Sequence, residues 1–156
     1  MFVDYAVTKH ATGYPANVLA QNYGEHMPSV ILSTDADNGN IVGIGDWDHM
    51  DVFKEAAPTT FEGKIVAKNV DGTFLVLVTK AENAAFVYQK PLTPHSTPKE
   101  LTIESSMYNK AGDVVRTYVL HALDRIAVSA EGFSGDPAVG KAIKSVAGKK
   151  MVISAA

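Results

Sequence analysis

The stretch Phe61–Lys80, FEGKIVAKNVDGTFLVLVTK, decides the fold. Two runs rich in β-branched residues, Lys64–Lys68 and Thr73–Thr79, flank Asn69-Val70-Asp71-Gly72. An Asp-Gly between apolar runs is the strongest short-range hairpin signal. Ile65 and Ala67, with Phe74, Val76 and Val78 as their partners, alternate with Lys64, Val66, Lys68, Leu75 and Leu77. The second run is apolar on both faces, which predicts a central strand between two covering layers.

Outward from this hairpin, most of the chain reads as short strands. Pro28–Trp47 predicts a hairpin turning at Asp35–Gly39, and Asp51–Ala57 a single helical turn before Pro58. Ala84–Gln89 is a further strand, followed by the proline-rich connection Pro91–Pro98. Leu101–Tyr108 and Asp113–His121 form a second hairpin across Asn109–Gly112, Arg125–Ser129 is another strand, and Met151–Ser154 closes the chain. One helix is expected over residues 137–147. Asp136 would be its N-cap and Pro137 its first residue, with Val139, Ala142, Ile143 and Val146 at helical spacing and Gly148 beyond the end. The fold class is therefore mainly β: a compact barrel or sandwich of about nine short strands with one short C-terminal helix.

Residues 1–26 differ from the rest. They have no sustained periodicity, and Tyr5, Tyr14 and Tyr23 recur every nine residues. The segment reads either as an extended N-terminal arm lying on another surface or as a tail packed along its own domain. Residues 27–156 form a single β-rich domain.

With 156 residues, 46% of them hydrophobic, the chain can bury one sizeable core. A net charge of −3 gives no reason to expect nucleic acid binding. The charge is uneven: residues 1–60 hold Lys9 and Lys54 against eight carboxylates, whereas Lys141, Lys144, Lys149 and Lys150 make a basic end. Such asymmetry is either a solvated surface or head-to-tail complementarity between copies. The absence of cysteine excludes disulfides and thiolate metal sites. Met1–Ala20 carries Asp4, Lys9 and His10 without an apolar block, so no export signal, no membrane span and a soluble product are expected.

Two clusters could carry chemistry. Thr34–Asn40 places oxygen donors at alternate positions, as calcium loops begin, but position 12 is Asp46 rather than glutamate and the flanks are strands. An Asx-rich turn accounts for it. Asp46, Asp48, His49 and Asp51 surround Trp47, and two carboxylates with an imidazole could ligate a metal or do acid–base work. An exposed acidic turn with Trp47 packed inward is the simpler expectation. His10, His26, His49, His95 and His121 are scattered without metal-binding spacing, and no nucleophile elbow, phosphate loop or dinucleotide fingerprint is present. No catalytic residue, metal ligand or cofactor is assigned, and no enzyme activity is expected.

Ser106–Ser134, SMYNKAGDVVRTYVLHALDRIAVSAEGFS, resembles a block found in tailed-bacteriophage capsid decoration (head auxiliary or cement) proteins and head-fibre bases. The elements are Tyr108-Asn109 ending a strand, Gly112-Asp113, Val115-Arg116, Leu120, the Leu123-Asp124 pair, and Gly132-Phe133. Pro137–Gly140 and Met151–Ser154 continue the pattern through the last third of the chain. His121-Ala122 stands where such families more often have glycine. The resemblance implies a non-catalytic structural protein of the virion, bound to the capsid exterior, with the major capsid protein as partner and a homo-oligomer, dimer or trimer, as the bound form. Under it, Phe2, Tyr5, Tyr14 and Tyr23 are the expected capsid-binding anchors, since aromatics dominate interface hot spots. The alternatives are a carbohydrate- or cell-surface-binding β module using Trp47, and a metal-dependent enzyme using Asp46, Asp48 and His49.

Overall fold

The structure, a computed structural model, describes residues 11, 13–19, 27–70, 72–88 and 109–154. These form twelve strands: β1 (Gly13–Asn17), β2 (Ser29–Ile31), β3 (Ile41–His49), β4 (Val52–Ala56), β5 (Thr60–Lys68), β6 (Phe74–Glu82), β7 (Ala85–Val87), β8 (Val114–Val119), β9 (Arg125–Val128), β10 (Phe133–Ser134), β11 (Ala142–Ala147) and β12 (Lys150–Ser154). A 3-10 turn at Ala130–Gly132 is the only helical element named among them. The expected Pro91–Pro98 loop and Leu101–Tyr108 strand lie outside the described residues.

Mainly-β architecture is as expected, but the strands make two sheets rather than one barrel. Seven form an open sheet in the order β1-β9-β6-β5-β11-β12-β10. The other five pair in the order β2-β4-β3-β7-β8, and β8 pairs back onto β2. β7 and the parts of β3 and β8 that pair with it then bury both faces. Ile41, Phe86, Tyr118 and Leu120 join the main core over the seven-stranded sheet, with Ile65, Val76, Val78, Ile126, Ile143 and Met151. Val42, Ala85, Val87 and Val115 turn the other way, into a smaller core with Leu32 and Ala36. Five strands enclose little room, which is why small side chains fill that second core.

The organising hairpin forms as read: β5 and β6 pair from Thr60↔Glu82 to Lys68↔Phe74, and Gly72 takes φ +89° in the turn. Its outer face is less covered than expected. Phe74, Val76 and Val78 are buried, whereas Leu75 and Leu77 are half-buried and belong to neither core. Among the described residues only the inner face of β6 has a layer over it.

The C-terminal helix is a correction. Residues 137–147 are a turn followed by β11, which pairs with β5 and β12. Gly140 adopts φ +94° and donates its N–H to the Ile65 carbonyl, so the chain turns where a helix would have to continue. Gly148 and Lys149 both have positive φ, at 57° and 67°, which makes them the two central residues of a tight hairpin turn rather than a helix cap. Ile143 and Val146 satisfy helical spacing, yet both are β-branched and suit a pleated surface.

Three further expectations change. Asp51–Ala57 is not a helical turn but contains β4, antiparallel to β3. Pro28–Trp47 is not a hairpin, because β2 pairs parallel to β4 and antiparallel to β8, never to β3. The strand count among the described residues is twelve, not nine, because β1, β4, β10 and β11 form where an arm, a helical turn, a loop and a helix were expected.

One backbone feature yields a stability prediction. Leu123 holds φ +76° while 77% exposed, donating its N–H to the Val78 carbonyl at 2.8 Å. The adjoining Asp124 carboxylate is buried and accepts from the N–H groups of His121 at 2.7 Å and Leu19 at 3.1 Å. A left-handed non-glycine residue costs about 1–2 kcal/mol. Leu123→Gly is expected to raise the thermal midpoint or leave it unchanged, since strain relief offsets the added unfolded-state entropy. A fall of several degrees in a calorimetric melt would show that the leucine side chain is itself stabilising.

Candidate functional site

The β3–β4 ribbon carries the most conspicuous surface. β7 pairs with Ile41 and Val42 of β3, so from Gly43 onward β3 has β4 as its single strand neighbour among the described residues. Two glycines let the strand coil tightly there. A Cβ on Gly43 would sit 2.5 Å from the Ala57 carbonyl oxygen, and one on Gly45 2.7 Å from that of Lys54. Register shifts on either side of Trp47 add twist. The ribbon ends in a turn where Met50 has φ +48°, anchored at its base by the Ser29 N–H donating to the Asp51 carbonyl.

Trp47 does not pack inward. It is 64% exposed, with its indole N–H donating to the Met50 carbonyl at 2.6 Å, and Met50 itself is 84% exposed. That hydrogen bond satisfies the polar edge of the indole and leaves its faces to solvent. Asp46, Asp48, His49 and Asp51 are all exposed around it, with His49 Nδ1 meeting the Asp48 carboxylate. The tip is an apolar centre ringed by three carboxylates.

These acids do not gather into a metal site. Among the described residues no group of three His, Asp or Glu side chains could hold an ion. His121 stands elsewhere, its Nδ1 3.9 Å from Asp124. The calcium-like loop also spends its oxygens internally. Asp35 accepts from the Ala111 N–H at 2.8 Å, Asp37 from the Ala11 N–H at 2.9 Å, and Asn38 from the Asn109 side-chain amide at 3.2 Å. The Asx residues there tie the loop to distant backbone, as turn residues do.

Of the expected anchors, Tyr14 is described; Phe2, Tyr5 and Tyr23 lie outside the described residues. Tyr14 sits on β1, the edge strand of the seven-stranded sheet, opposite Ala127 of β9, which in turn lies opposite Leu75 of β6. The tyrosine is 37% exposed, and its hydroxyl lies 3.4 Å from the Asn69 amide nitrogen. Tyr14, Leu75 and Leu77 thus share the outer face of the sheet. Val18, just after β1, is fully buried in the main core.

A second outward patch joins β5 to the turn before β11. The Gly140 N–H donates to the Ile65 carbonyl at 2.8 Å and the Ile65 N–H to the Lys141 carbonyl at 3.0 Å. This brings Val139, 59% exposed, beside Val66, 38% exposed. Lys64 is exposed two residues from Val66, Lys144 is exposed further along β11, and Lys141 is half-buried, its ammonium donating to the Asp136 carbonyl. Glu62 and Asp136 are the nearby acids in the chain. Periodicity could not reveal this patch, because Val66 and Val139 meet only through the β5–β11 pairing. At the tip, the acidic cluster of Asp46, Asp48, His49 and Asp51 was legible in the sequence, but the exposure of Trp47 was not.

No protein-family model matches the chain, no curated protein matches its sequence, and no solved structure matches its fold.

Proposed function

We propose that this chain is a structural protein of a bacteriophage virion that binds the outer surface of the capsid and staples neighbouring major capsid subunits, without catalysis. The observation that supports it best is the outer face of the seven-stranded sheet, where Tyr14, Leu75 and Leu77 lie together outside both cores. A broad sheet face can lie against another protein over a large area. An aromatic on its edge strand, with a further segment bearing Phe2 and Tyr5 ahead of it, extends that contact along a neighbour. Many copies on one shell multiply a modest single-site affinity. The resemblance of Ser106–Ser134 to capsid decoration proteins names the partner class.

The test is co-sedimentation with mature capsids of the phage whose major capsid gene neighbours this chain's gene. Wild type should bind to saturation. A chain lacking residues 1–10 and carrying Tyr14→Ser should bind at least about 10-fold more weakly, as loss of aromatic anchors worth 1–2 kcal/mol requires. The deletion stops at residue 10 because β1 and the buried Val18 follow. Undiminished binding would remove the anchors' role, and no binding by wild type would remove the capsid reading itself.

A further inference from the structure

The tip of the β3–β4 ribbon and the patch between β5 and β11 match each other in kind and oppose each other in charge. On the tip, Trp47 and Met50 are ringed by Asp46, Asp48 and Asp51. On the patch, Val66 and Val139 lie where Lys64, Lys141 and, further along β11, Lys144 outnumber the acids Glu62 and Asp136. We propose that the tip of one copy docks on the patch of a second copy, making a head-to-tail contact between identical chains.

Two features of these surfaces favour a second copy over other occupants. The first is chemical: each surface offers an exposed apolar centre of a few side chains with a rim of one dominant sign. Docking would pair carboxylates with ammonium groups around desolvated Trp47, the arrangement that gives an interface its specificity and its register. The second is placement. Within one copy, Glu55 of β4 meets Lys149 of the β11–β12 turn. The tip lies beyond the far end of β4 from Glu55, and the patch beyond the far end of β11 from Lys149. The two surfaces therefore stand apart within one copy.

Because the two surfaces differ, the contact is heterologous. A pair of copies keeps one unused tip and one unused patch, so association continues until a ring closes or a chain of copies forms. This contact does not rest on the capsid reading and is testable on the purified chain alone.

Sedimentation velocity over a concentration series, at low and at high salt, provides the test. Wild type is expected to self-associate, less strongly as salt screens the rim charges. Trp47→Ala should weaken association by about 30-fold or more, the effect of losing a hot-spot tryptophan. The triple variant Lys64→Glu/Lys141→Glu/Lys144→Glu should do the same.

Mixing these two variants should then produce a one-to-one complex and nothing larger, since one retains the patch and the other the tip. A chain combining the triple reversal with Asp46→Lys/Asp48→Lys should associate with itself again, which also shows that the reversed surfaces are folded. A monomeric wild type would overturn the proposal, as would variants that associate like wild type, a mixture that does not pair, or a double reversal that restores nothing. Monomeric protein with Trp47-dependent signals on a glycan array would assign the tip to sugars instead.

Discussion

Phe86→Ala is expected to destabilise the protein by about 3–5 kcal/mol, the range for deleting a fully buried phenylalanine. The position makes the upper half of that range the better expectation. β7 has three residues, all buried, and they alternate between the two cores: Phe86 enters the large one while Ala85 and Val87 face the small one. The same alternation carries Ile41 and Val42 of β3, directly paired with Phe86 and Ala85. The ring edge of Phe86 also lies against β1, since a Cβ on Gly13 would stand 3.2 Å from its Cζ. A cavity there has packed backbone on several sides and little freedom to collapse. Urea unfolding followed by both far-ultraviolet circular dichroism and tyrosine fluorescence would measure it. A loss under about 1 kcal/mol would mean that the two cores do not depend on this strand.

Lys149→Met is expected to cost about 3 kcal/mol, because it leaves a buried carboxylate without its cation. Lys149 reaches from the β11–β12 turn to Glu55 at 2.7 Å, with only 15% and 6% of the two side chains exposed. Its ammonium also donates to the Thr34 carbonyl at 2.8 Å, while its own backbone carbonyl accepts from the Ile41 N–H at 3.0 Å. Glu55 is further held by the Ser33 N–H at 2.8 Å and by the Ser33 hydroxyl. One side chain therefore ties the seven-stranded sheet to the five-strand ring.

Burial alone would raise the Glu55 pKa. The hydrogen bonds from Lys149 and Ser33, with the lysine's charge, outweigh that and lower it below its ordinary 4.5. A lowered folded-state pKa stabilises the fold fully above the ordinary value, and that contribution is lost as pH falls through the folded value. Urea midpoints should thus be insensitive to this group from pH 7 to about 5 and decline below about 4.5. Glu55→Gln should flatten that acid limb while keeping the Ser33 contact. An unchanged acid limb in Glu55→Gln would show that other carboxylates control it.

Local chemistry alone was enough for the parts of the fold that depend on neighbours in sequence. Asn69–Gly72 between two apolar runs dictated the β5–β6 hairpin, and the strands at 85–87, 114–119, 125–128 and 150–154 follow from β-branched runs bounded by turn residues. The asymmetry of charge, acidic early and basic late, is likewise written in the chain. Contacts across long sequence separation were hidden. Residues 137–147 keep helical spacing, and the open edge of β5, which accepts β11 with a register shift against β12 between Ile143 and Ser145, decides for strand. Trp47 was expected inside because tryptophan is mostly buried. The ribbon's exposure depends on β7 ending after two pairs, which no local pattern announces.

The pairing of Glu55 with Lys149 and the meeting of Val66 with Val139 are of the same kind. Sequence by itself determined that this chain is mainly β, where its tightest hairpin lies and which residues are charged. Tertiary structure decided how the strands divide between two sheets and which apolar side chains remain outside. The physical reason is that hydrogen-bonded turns are specified within a few residues, whereas the burial of a strand face depends on which distant strand arrives beside it.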